Sequence, residues 1–375
     1  EDPSTVGAPV ISYSSVNTPS SSGHTVAYSS GVPHYTESTN NNFTYVATVE
    51  NASGDMYSYS NFKLLNSDGA TTGFSNPGHK LYSDFAGGTN PSLSPSVSSV
   101  VDRIDYSNDT ANASPKGNLS NPQYGMSAAG NADFGYIIGG YDPDGPTYTQ
   151  SKIDRIDYSN DTATSVQKGS VSSPRAYTGS TGNTNFGYVG GGWPNLESTV
   201  SRIDYSNDTA VASTKGPLTS NRFNLAATSA RSYAFDKILG PSVVSNSPVQ
   251  GHNPSRYGYF MGGQVQTSTF SSSNERIDYS NDTTALVAKG TLTQSFGNVK
   301  STSSPSHGYS SAIVIASGTS TILERLDFAN DTSTQTTVGN FSVSLQYRGN
   351  AAGNKDYGYW FGGHNNYSII ERVDY

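Results

Sequence analysis

Short apolar runs closed by glycine, and strict two-residue alternation, organise this chain. FGYIIGG at Phe134, FGYVGGG at Phe186, YGYFMGG at Tyr257 and YGYWFGG at Tyr357 are aromatic runs of strand length that end in Gly-Gly. Between them stand Arg-Ile-Asp-Tyr segments in which charged and apolar positions alternate, placing Arg and Asp on one face and Ile and Tyr on the other. Gly, Ser, Thr and Asn fill the intervals and disfavour helices, so the pattern predicts many short strands joined by turns.

The pattern is periodic, and the period assigns the strands. RIDYSNDT stands intact at Arg103, Arg155, Arg202 and Arg276, then degrades to RLDFAND at Arg325 and RVDY at Arg372, with KLLNSDG at Lys63 as an eroded copy. Weaker forms of the aromatic element lie at Phe43, at Asp84–Gly88 and between His307 and Gly318, which makes seven interleaved pairs. From each Arg to Gly117, Gly169, Gly216, Gly290 or Gly339 the interval is 14, the length of a hairpin with Ser-Asn-Asp-Thr at its tip. From that Gly to Phe134, Phe186, Tyr257, His307 or Tyr357 the intervals are 17, 17, 41, 17 and 18, room for one further strand. Four antiparallel strands in each of seven units predict an all-β, seven-bladed β-propeller that occupies residues 1–375 as a single domain. The last copy stops at Arg372–Tyr375, in the third strand of a blade. Residues 1–42 therefore supply the closing strands, with Val10–Val16 outermost in that sheet and Gly23–Ala27 innermost in its neighbour, which removes exposed edges.

An aromatic strand ending in Gly-Gly, a variable loop, and a strand ending in Asp-Tyr resemble the kelch repeat, without its usual Trp in the outermost strand. The wording RIDYSNDTA, followed by KGxLS and FGYxGG, also resembles tandem repeats of tail-fibre and other virion structural proteins of marine bacteriophages, cyanophages especially. That resemblance implies a virion-surface or extracellular, non-enzymatic appendage module, structural or receptor-binding, that contacts a host-surface glycan or protein. A secreted or surface lectin-like adhesin of a bacterium or alga is the alternative.

Composition narrows the chemistry. Net charge is −8 with 21 scattered Lys and Arg, so there is no basic stripe to neutralise phosphates and no nucleic-acid partner is expected. Cysteine is absent, which removes disulfides, thiolate metal sites and thiol nucleophiles. No run approaches the roughly 18 apolar residues of a membrane span, so no membrane insertion is expected. The chain begins at Glu1 without Met or an apolar leader, as a processed or cropped chain would.

Candidate sites are weighed against the repeat. The Arg-x-Asp pair recurs in six copies, and a catalytic site is singular, so the pair is read as structural. Asn-Asp-Thr suits a tight turn, and Asp142-Pro-Asp-Gly145 a simple turn rather than a calcium loop. The six histidines are isolated, no metal or cofactor is expected, and no catalytic residue is assigned. Two features are singular. An insertion at 232–256 carries Phe235, Ile238, Leu239, Val243 and Val244, and is expected to project from the Asn-Asp-Thr face and contact neighbouring structural chains. Residues following each Gly-Gly differ between copies: Thr89, Tyr141, Trp193, Gln264 and His364, with Glu50 in the eroded first copy. They are expected to form a ring at the opposite face, with Trp193, Tyr141, Gln264 and His364 binding the ligand and the Trp193 indole stacking on a sugar.

Overall fold

Alternation and turn chemistry produce strands, and among the described residues nothing helical exceeds the 3-10 turns Tyr205–Asn207 and Phe328–Asn330. The computed structural model describes backbone strands between residues 10 and 66. From residue 82 onward it describes all but 90–96, 107, 132, 184, 230–255, 267–268, 305, 312–313, 316–317, 343–349, 354–356 and 362–369. The chain divides into Glu1–Pro77 with Lys237–Val249, and Gly78–Asp236 with Gln250–Tyr375.

The larger unit is a β-propeller arrangement of six blades, not the seven that motif counting predicts. Its first blade holds Tyr82–Thr89, Val97–Asp105 and Ser114–Pro115. The second orders Ser127–Gly130, Phe134–Ile138, Lys152–Asp157 and Val166–Ser170 from inside outward. The third, fourth and fifth repeat this plan from Gly179, Ala226 and Lys300. The sixth has Asn350–Gly353, Tyr357–Phe361 and Ile370–Asp374.

The two eroded motifs build something else. In the smaller unit Tyr45–Glu50 pairs antiparallel with both Val10–Ser15 and Met56–Tyr59, and Leu64–Asn66 runs parallel to Val32–Glu37. A parallel pair needs a crossover connection, which the hairpins of an up-and-down blade exclude. Val10–Val16 accordingly does not complete the sheet of Arg372–Tyr375. Thr25–Ser29, which contains much of the expected innermost strand, pairs with Val32–Glu37 instead.

What joins the blades is the octapeptide itself. The aspartate at each hairpin tip faces back to the preceding blade, where one Arg, one Tyr and one Lys converge on it. Asp282 accepts from Tyr188 Oη and Arg202 Nη1, both at 2.8 Å, with Lys215 Nζ at 3.3 Å. Asp208 meets Tyr136, Arg155 and Lys168 in the same way, and Asp331 meets Tyr259, Arg276 and Lys289. Asp161 takes Arg103 and Lys116, while Asp84, standing where the other blades have Tyr, pairs with Arg103. The ring closes by the same device, since Asp109 of the first blade accepts from Tyr359 at 2.7 Å and Arg372 at 2.9 Å of the sixth. Among the described residues, side chains make this closing contact.

Other motif positions serve the same joint. Asp157, Asp204, Asp278 and Asp327 accept the backbone N–H two residues on and so fix the turn that presents the tip. The motif's aromatic residue stacks on the strand-two Tyr of the preceding blade: Tyr205 on Tyr136 at 4.8 Å, Tyr279 on Tyr188 at 4.9 Å, and Tyr106 on Tyr359 at 5.1 Å. Gly216 donates its N–H to the Asp282 carbonyl at 2.8 Å, and a Cβ there would collide with the Thr284 carbonyl. Gly117, Gly169 and Gly290 sit identically against the next hairpin. The buried apolar residues likewise form layers between blades, such as Tyr136, Ile138 and Ile153 with Val189 and Ile203.

Two outcomes test this joint. Gly216→Ala is expected to destabilise the fold by about 1–3 kcal/mol, as overpacking does, measured by urea unfolding. Burial alone would raise the Asp331 carboxyl, but the Tyr259 hydroxyl, Arg276 and Lys289 outweigh it and hold the group below the ordinary range. Stability from a depressed carboxyl is present above its unfolded value near pH 4 and is lost as pH falls through the folded value. Asp331→Asn is therefore expected to lower stability at pH 7 and to flatten the loss seen below about pH 4, read from melting temperatures across a pH series.

Candidate functional site

Strand two runs from the hairpin end to the Gly-Gly end, because Phe134 pairs with Asp157 and Ile138 with Ile153. At five residues it separates the two ends by roughly 16 Å. Gly139 and Gly140 have φ of 62° and 123°, Gly191 and Gly192 of 71° and 134°, values that require glycine and turn the chain sharply outward. The second glycine N–H is captured by the next blade: Gly140 by the Arg175 carbonyl and Gly192 by the Arg222 carbonyl. The following residue is then held by two main-chain hydrogen bonds to the link entering its own blade. Tyr141 bridges Tyr124, Trp193 bridges Ala176, and Gln264 bridges Phe223.

These bridges gather an aromatic patch over the second and third blades. Tyr141 and Trp193 lie with ring centroids 5.7 Å apart, and Tyr148 stacks on Tyr141 at 5.9 Å. Tyr124 meets Tyr141 edge-on at 5.2 Å, and Tyr177 meets Trp193 edge-on at 6.3 Å. Tyr124, Tyr141, Tyr177 and Trp193 are half-buried, and Tyr148 is 63% exposed. The Tyr141 phenol is pushed up, first by burial and then by the Tyr124 and Tyr148 hydroxyls, so it stays a neutral donor.

Rigid groups lie beneath. Arg175, 1% exposed, pairs with Glu197 at 2.9 Å and donates to Ser201 Oγ at 2.6 Å, to the Thr199 carbonyl at 3.2 Å and to the Gly191 carbonyl at 3.5 Å, so it touches both ends of the Trp193 loop. Tyr177 has a left-handed φ of 57°, where the equivalent positions hold Gly125, Asn224 and Asn298. A tyrosine backbone costs about 1–2 kcal/mol there, and strain of this kind concentrates at functional surfaces. Its ring covers Gly125, where a Cβ would come within 2.8 Å of it.

Of the residues singled out in the sequence, Trp193 and Tyr141 lie side by side. Gln264 occupies the same place in the fourth blade, and its Oε1 accepts from Asn224 Nδ2 at 2.7 Å. His364 lies outside the described residues. Thr89 ends its strand opposite Val97, while Glu50 belongs to the smaller unit, paired with Val10. Tyr124, Tyr148 and Tyr177 escape the sequence reading because two come from inter-blade links and one from a variable loop. The signal available was a Tyr two or three residues after the Pro of two links, in PQYG and PRAYT. Asp142 builds a turn, accepting the Asp144 N–H at 3.1 Å. Of the insertion only Arg256 is described. It pairs with Asp278 at 2.6 Å and accepts the Tyr279 N–H, at the hairpin end of the fourth blade.

Comparison with known families finds no matching family model, and comparison with curated proteins finds no match.

The chain has two tryptophans, and Trp360 is 0% exposed. Acrylamide is expected to quench the Trp193 emission selectively. Trp193→Phe should leave only a blue-shifted, poorly quenched signal, and equal quenching of both indoles would contradict this placement.

Proposed function

We propose that the propeller is a non-enzymatic recognition module of a phage virion appendage, which binds a host-surface glycan at the Trp193 end. The observation that carries this reading is the half-exposed aromatic patch of Trp193, Tyr141, Tyr148, Tyr124 and Tyr177, held on main-chain bridges. Indole and phenol faces are apolar surfaces edged by hydrogen-bonding groups, the chemistry that takes up a sugar ring. The likeness of RIDYSNDTA to repeats of virion structural proteins supports placing the module on a tail fibre. The recurring Arg, Asp and Tyr groups are engaged in holding blades together, which leaves the reading without a catalytic role for them. In this reading the 232–256 insertion, whose last residue sits at the hairpin end, faces neighbouring chains of the fibre.

Glycan-array and host-cell binding of the parent, compared with Trp193→Ala, test the reading. The variant is expected to melt like the parent and to bind at least about tenfold more weakly, a loss of about 1.4 kcal/mol. Unchanged binding by a folded variant removes this site, and no binding by the parent removes the recognition role.

A further inference from the structure

In the second, fourth, fifth and sixth blades one carboxylate on strand three ties the incoming link to the sheet. It stands immediately before the motif Arg and accepts both the N–H and the hydroxyl of a single link residue. Asp154 accepts from Ser120, Glu275 from Thr219, Glu324 from Thr293 and Glu371 from Ser342. In the fourth blade the same carboxylate also pairs with the buried Arg222 at 2.9 Å. These contacts join link to strand and leave the loop after Gly-Gly out of the anchor.

The third blade departs from this plan. Ser201 holds the strand-three position, and the loop supplies the acid instead. Glu197 accepts from the Ser173 hydroxyl at 2.7 Å through Oε1 and from Arg175 Nη1 at 2.9 Å through Oε2, while Arg175 Nη2 donates to Ser201 Oγ at 2.6 Å. Of the six loops between strands two and three, no other contains a glutamate. The Glu197 main chain is fixed as well: its N–H donates to the Gly192 carbonyl at 3.2 Å, and its carbonyl accepts from the Arg222 N–H at 3.1 Å. The one blade whose anchoring acid has moved into the loop is thus the blade whose loop carries Trp193.

We propose that Glu197 is a positioning residue for Trp193, which holds the loop to Ser173 and Arg175 so that the indole is presented to a ligand in one orientation. A carboxylate on the strand would secure the link equally well and leave the loop to its main-chain bridges. A carboxylate within the loop secures link and loop with one group, so less freedom is lost when a ligand binds. Ser173 and Arg175 lie in the link that continues into Ala176, whose N–H and carbonyl bracket Trp193. Indole and anchor are therefore fixed to the same short segment. That the indole meets a glycan rests on the proposed recognition role, whereas the ordering of the loop stands apart from it.

Glu197→Gln in the whole chain, studied below its melting temperature, is expected to raise acrylamide quenching of the Trp193 emission and to lower its anisotropy. Glycan binding should weaken by about five- to tenfold. The double variant Glu197→Gln with Ser201→Glu returns the acid to the strand, as in the fourth blade, and separates anchoring from positioning. It is expected to regain the parent's melting temperature but neither its quenching nor its binding. Recovery of all three, or unchanged quenching in Glu197→Gln, overturns the proposal and leaves Glu197 a clamp of the link alone. Ser173→Ala removes one contact without unpairing a buried charge. It should raise quenching in the same direction, and it decides the matter where a Glu197 variant fails to fold. A parent that binds no glycan removes the recognition role, while quenching still decides the role of Glu197.

Discussion

The carboxylate at each hairpin tip is the constraint on which the ring depends. A blade of four short strands buries too little on its own, and its strand-two residues are covered from both sides only when neighbours are in place. Apolar layers supply that cohesion but not a direction. The clamp does, because its donors and its acceptor lie on different blades: Tyr188, Arg202 and Lys215 reach forward to Asp282, and none of them is satisfied by its own hairpin. Burial makes the geometry demanding. Asp282 is 6% exposed, and a carboxylate so placed must be paired and hydrogen-bonded to be tolerated. Burial and then the Asp282 carboxylate push the Tyr188 hydroxyl up, so it remains a donor throughout the neutral range.

The same constraint explains which parts of the sequence repeat and which vary. Residues from the motif Arg to its tip Asp are committed to a neighbour, to a turn or to the core, and where the fifth copy varies to RLDFAND, Phe328 still stacks on Tyr259 and Asp331 still meets Arg276. At the Gly-Gly end the commitments pass to the main chain. Backbone N–H and carbonyl groups of Tyr141, Trp193 and Gln264 hold their loops in place irrespective of what the side chains are.

Legibility in the sequence follows this division. Strands two and three and the 14-residue interval could be read from spacing, because each is set by local alternation and by glycine. The number of blades could not, because motif likeness counts strand patterns, while a blade depends on which strands pair in one sheet. The Lys63 copy keeps the strand pattern of Leu64–Asn66 but lacks both the Arg and the Asn-Asp-Thr tip, so it carries neither half of a junction. Glycine at the close of the 14-residue interval reads locally as a turn residue. Its actual reason, the approach of a carbonyl from the next blade, is tertiary and shows only in space. Tyr177 was hidden for a related reason, since nothing in the sequence marks a left-handed tyrosine.

The main-chain bridges behind Tyr141, Trp193 and Gln264 have a consequence for how such a surface can change. A loop whose position is fixed by peptide groups accepts new side chains without renegotiating the fold, so single substitutions there alter what is touched while leaving the scaffold intact. Blades joined head to tail by one standard fitting are also interchangeable in principle, each bringing its own outward residue to the rim. The molecule is then built as a rack of exchangeable contacts, in which the outward surface can drift by point mutation at one end while the other end stays locked.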